Sequence, residues 1–123
     1  MDWNIPLWIL QVAMALAFLV TGYSHSIGYE RSKTNPRLVW MRALPATFVR
    51  VVGVLTIAGA IGLILPELTG IESWLTPLAA LMLALLMACA IAFHLTRREF
   101  PHTAVNATLG VFATSIAYGR FIV

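Results

Sequence analysis

The chain has 123 residues, 60% of them hydrophobic and 11% charged, and a formal net charge of +3. Soluble domains carry about 25% charged residues and give their helices polar outer faces, so this composition argues against a soluble bundle. The positive balance does not point to nucleic acid, because the bases flank apolar segments, where they set topology and meet anionic head groups.

The first apolar stretch covers about residues 5–23. Like the later stretches, it comes close to the ~20 residues a helix needs to cross ~30 Å of hydrocarbon. Met1, Asp2, Trp3 and Asn4 bring no positive charge, and the run exceeds a typical signal core, so this segment is expected to stay in the mature protein. Ala13, Ala17 and Thr21 recur along it at helical spacing, and Gln11 is expected to bond across helices.

The gap at 24–46 holds Arg31, Lys33, Arg37 and Arg42, with Arg50 just beyond. Inside it, Leu38, Val39, Trp40, Met41 and Leu44 are bracketed by Pro36 and Pro45, a pattern that predicts a short helix lying in the membrane interface. A second stretch, 47–65, carries Gly53, Gly59 and Gly62; the gap after it has Glu67 and Glu72 but no base. The third, 74–95, has alanines at 80, 84, 88 and 92, and its lone Cys89 reads as a small buried packing residue. Arg97 and Arg98 then lead into a fourth stretch, 103–123.

These elements predict an all-α fold: a four-transmembrane-helix bundle forming a single membrane domain over 1–123. The positive-inside rule places the two basic gaps in the cytoplasm and both termini outside. Near the outer end, Arg120 is expected to pair with Glu67 or Asp2, or to reach the head groups.

Topology also sorts the polar residues. His25 closes the first helix, Arg50 opens the second, His94 closes the third, and His102 and Asn106 begin the fourth, all at the cytoplasmic level. Tyr23 and Glu30 lie close to the same level. Histidine titrates near neutral pH and both donates and accepts protons, which makes His25 and His94 the candidate catalytic residues. Arg50, Asn106, Tyr23 and Thr56 are the candidate ligand-binding residues. The histidines come from separate loops with no local ligand motif, so no metal site is expected. No carboxylate lies at mid-depth in any helix, which counts against an ion pump or proton-driven transporter.

The run Arg50-Val-Val-Gly53-Val-Leu-Thr56-Ile-Ala-Gly59-Ala-Ile-Gly62 leading to Pro66 carries a further signal. So do Phe18-Leu-Val-Thr-Gly22, Leu75-Thr-Pro77, Phe93-His94-Leu95, Asn106 and Tyr118-Gly-Arg120. In this order the motifs resemble the DoxX-like family of small four-helix membrane proteins. The resemblance implies a bacterial cytoplasmic membrane and an accessory or quinone-binding role in membrane redox metabolism. Quinone is the one cofactor it suggests. The implied partners are membrane lipids, a lipophilic small molecule, and a membrane redox partner or a second copy. The alternatives are a membrane-embedded acid–base enzyme, opening epoxides or cyclising or isomerising an apolar molecule, and a membrane chaperone. Two positions depart from the family pattern. His25 stands where relatives often carry lysine, and Thr56 where they often carry glutamate, leaving a less charged interior.

Overall fold

A computed structural model describes residues 3–122. Six α-helices follow in chain order: α1 (Asn4–His25), α2 (Tyr29–Ser32), α3 (Ala46–Gly62), α4 (Leu65–Thr69), α5 (Leu75–Thr96) and α6 (Phe100–Ile122). A 3-10 segment, Pro36–Ala43, links α2 to α3.

Local chemistry fixes the ends. α1 stops where the Ser26 N–H turns back to the carbonyls of Gly22 and Tyr23, and the Ser26 hydroxyl also donates to Gly22. Asn35 caps the 3-10 segment by accepting the Arg37 N–H on its side-chain oxygen, with Pro36 at the first position. Gly70, in the left-handed region at φ 73°, ends α4.

Helices α1 and α3 pack side by side, as do α5 and α6, while α3 meets α5 and α1 meets α6 to close the bundle. Met14, Phe18, Leu63, Leu83, Met87 and Ile116 fill the centre. Outward positions such as Ile9, Val20, Leu85 and Val111 remain exposed, which in a membrane is contact with lipid. The backbones of α1 and α3 cross closely. A Cβ added at Gly53 would stand 2.8 Å from the Gly22 carbonyl oxygen, and one at Gly22 2.8 Å from that of Gly53. Only glycine allows this approach.

The expectation of four membrane-spanning helices is overturned. Among the described residues, three helices are long and apolar enough to cross a membrane: Asn4–His25, Ala46–Thr69 (α3 continuing into α4) and Leu75–Thr96. Helix α6 has the length, at 23 residues. Its composition sets it apart, because His102, Thr103, Asn106, Thr108, Thr114, Ser115 and Arg120 dilute its apolar residues. Residue 123, the end of the expected fourth span, lies outside the described residues.

Two smaller expectations also change. The segment at 36–43 is a 3-10 turn that buries one face: Trp40 and Met41 pack against Tyr29, Val49 and Phe93, closing the bundle end, while Val39 stays exposed. Cys89 is exposed rather than packed inside, because the buried face of α5 runs through Ala80, Leu83 and Met87.

Candidate functional site: an imidazole–indole cluster

The base-rich end of the bundle gathers rings from four elements. The Trp40 ring centroid lies 5.0 Å from that of His25, 5.2 Å from His94 and 6.2 Å from Phe93. His94 meets Trp40 edge to face at 90°, and on its other side stacks on His102 at 4.9 Å and 20°. The Gly22–Gly53 crossing sets this arrangement, since a Cβ at Gly53 would also come within 2.8 Å of the His25 Cβ.

Hydrogen bonds assign the imidazole nitrogens. His25 Nδ1 lies 2.6 Å from the Thr21 carbonyl oxygen, which only accepts, so Nδ1 carries the proton. His94 Nδ1–H donates to Glu99 Oε1 at 2.9 Å, and Arg97 Nε donates to the same oxygen at 3.1 Å. His102 Nε2–H donates to the Arg37 carbonyl at 2.7 Å. In the neutral rings, Nε2 of His25 and of His94 is therefore a proton acceptor. Trp40 supplies the complement: its buried indole Nε1–H meets no acceptor among the described residues. An unpaired buried donor costs about 1–3 kcal/mol.

Glu99 lies just beyond α5. Burial opposes its ionisation, but the hydrogen bonds from His94 and Arg97, with the charge of Arg97, overcome that and hold its carboxyl below the usual range.

The other candidate residues divide. Arg50 is at the same end, donating to Glu30 Oε1 at 2.9 Å with its guanidinium over the Tyr29 ring. The hydrogen bond and charge of Lys33, with Arg50 behind them, lower the pKa of Glu30. Asn106 is half-buried one turn beyond His102 and makes no hydrogen bond among the described residues. Thr56 is buried and gives its hydroxyl to the Val52 carbonyl within α3. Tyr23 is exposed, turned away from the cluster, and lines a surface groove on α1 and α2.

Trp40 and Glu99 are the members that sequence reasoning missed. For Glu99, the signal available was its position five residues after His94, as the one acid between α5 and α6. For Trp40 the apolar pattern of 38–44 was visible, but lipid and protein interior satisfy that pattern equally.

A second polar cluster occupies the opposite end. Arg120 Nε donates to Gln11 Oε1 at 2.6 Å, Nη1 reaches Asn4 Oδ1 at 3.0 Å and Glu67 Oε1 at 3.1 Å, and the guanidinium covers Trp8. Gln11 in turn donates to the Leu63 carbonyl at 2.6 Å, the cross-helix bond expected of it. Of the two expected partners of Arg120, Glu67 is in contact; Asp2 lies outside the described residues.

A protein-family model described as the DoxX-like family matches residues 9–116, most of the chain. No curated protein and no solved structure matches.

Proposed function

The chain belongs to the DoxX-like family, and from that premise we propose that it is an integral membrane protein binding a quinone or similar oxygen-bearing lipophile at the imidazole–indole cluster. The observation that carries this reading is the buried, unpaired Nε1–H of Trp40 beside two acceptor nitrogens. A carbonyl oxygen accepts from the indole; a hydroxyl donates to Nε2 of His25 or His94. Quinone and quinol present those two groups in turn. A bound quinol would supply two-electron, two-proton redox chemistry, its electrons leaving to a membrane redox partner that this chain serves as accessory. Its own residues hold the ring and accept protons, with Asn106 and Arg50 orienting oxygen at the rim. Positive-inside reasoning puts this base-rich end in the cytoplasm.

The experiment is binding of a short-chain benzoquinone to the purified protein, read by thermal stability and by indole fluorescence. Wild type is expected to bind, and Trp40→Phe, which keeps a ring but loses the donor, to bind at least ten-fold more weakly, the ~1.4 kcal/mol of one hydrogen bond. Absence of any quinone-induced change in wild type overturns the proposal.

One observation favours a second reading, acid–base catalysis on an apolar substrate: a carboxylate orients His94, as general bases require. Full turnover of a candidate epoxide by the His25→Ala, His94→Ala double variant would exclude it.

A further inference from the structure

The groove on the outer face of the α1–α2 turn belongs to none of the foregoing chemistry. It has a volume of about 660 Å³ and is lined by Tyr23, Ser24, Gly28, Glu30, Arg31 and Ser32 among others. The turn shapes it: the Gly28 N–H bonds the Tyr23 carbonyl at 2.8 Å, and the Tyr23 ring lies across Gly28, where a Cβ would stand 3.2 Å from a ring carbon.

Its donors are unspent. Among the described residues, no hydrogen bond or ion pair engages the Arg31 guanidinium or the hydroxyls of Tyr23, Ser24 and Ser32. The one carboxylate in the lining, Glu30, is occupied on both oxygens, by Lys33 at 2.7 Å and Arg50 at 2.9 Å. The charge left facing the groove is therefore that of Arg31. A guanidinium with several hydroxyls suits a phosphate group, which accepts from all of them at once. The groove also lies at the end of a membrane-length helix, beside Tyr23, and Ile27, in the same lining, is 76% exposed.

We propose that this groove binds a phosphate group, presented at the head-group level by an anionic phospholipid. Arg31 forms the charge-assisted bonds, Ser24 and Ser32 donate to the remaining oxygens, and Tyr23 covers the glycerol side. The site is independent of the imidazole–indole cluster and does not need a quinone.

The test places the protein in nanodiscs containing an equimolar mixture of phosphatidylglycerol and phosphatidylcholine, and measures the lipids retained on release by native mass spectrometry. Wild type is expected to retain phosphatidylglycerol roughly five-fold over phosphatidylcholine, the enrichment one basic side chain gives at an anionic surface. Arg31→Gln, or the Ser24→Ala, Ser32→Ala double variant, should reduce that ratio toward one. Arg98→Gln, a like charge loss at the same end but outside the groove, should leave it unchanged. Displacement of the lipid by millimolar inorganic phosphate would identify free phosphate as the ligand of the same site. Equal retention of both lipids with no phosphate binding, or a ratio unaltered by Arg31→Gln, overturns the proposal.

Discussion

Gly22 and Gly53 bring the backbones of α1 and α3 into contact directly below His25. Substituting Gly53→Ala forces a methyl group into the Gly22 carbonyl, the His25 Cβ and the Ser26 nitrogen, each 2.8 Å away. Backbone atoms cannot yield as a side-chain tip can, so the helices must part. The expected cost is about 1–3 kcal/mol, read as a lowered thermal midpoint in detergent. Ligand affinity should fall with it, because His25 moves off Trp40.

Glu99 makes the base-rich end sensitive to acid. Its carboxyl ionises more readily in the folded protein than at its ordinary value of 4.5, so the unfolded chain binds more protons and stability rises with pH in that range. The contribution is complete above about pH 4.5 and disappears as the pH falls through the lowered folded value. Glu99→Gln should therefore destabilise by about 1 kcal/mol at neutral pH, the loss of charge from its hydrogen bonds. Thermal unfolding of both proteins from pH 3 to pH 7 should show the difference closing at the acid end.

Trp40 separates packing from hydrogen bonding. Trp40→Ala empties a buried aromatic site and should cost about 3–5 kcal/mol. Trp40→Phe keeps most of the ring and removes a donor that had no acceptor, so its cost should stay below about 1.5 kcal/mol. Denaturant or thermal unfolding of the two variants side by side checks this order. A larger loss in Trp40→Phe would mean that the indole N–H has a partner.

The two arginine pairs should behave oppositely. Arg50 and Glu30 are open to solvent, and Arg50→Gln should leave the thermal midpoint nearly unchanged. Arg120 has a side chain only 2% exposed and satisfies Gln11, Asn4 and Glu67 together. Arg120→Ala strands Glu67 and Gln11 and should cost about 3–5 kcal/mol. Thermal midpoints of both variants, compared at low and high salt, should show only the Arg50 pair screened.

Apolar runs and charge placement made α1, α3 and α5 legible within a few residues, since length and hydropathy are properties of the chain itself. They did not separate α6 from the others, because its hydroxyls, Asn106 and Arg120 are spread through an otherwise apolar helix. Depth along each helix was readable, so His25, Arg50, His94 and Asn106 could be assigned to one end. Rotation was not: Tyr23, two residues before His25, faces outward into a different groove. Trp40 was beyond reach for a related reason, as an amphipathic loop gives the same pattern whether it covers lipid or plugs a bundle. Gln11 was readable because an amide within an apolar helix must find a partner, and α3 offers the Leu63 carbonyl.

The Arg120 cluster also fastens distant parts of the chain to one another. Its bonds to Gln11 and Asn4 span 109 and 116 residues, almost the whole chain. During synthesis α1 and α3 leave the ribosome long before that guanidinium does. Gln11 needs only Leu63 to fix the register of α1 against the end of α3. Its own oxygen is matched by the last turns of α6. Through Gln11 and Asn4, Arg120 thus ties α6 to a helix pair far away in sequence, a closure that no local contact supplies.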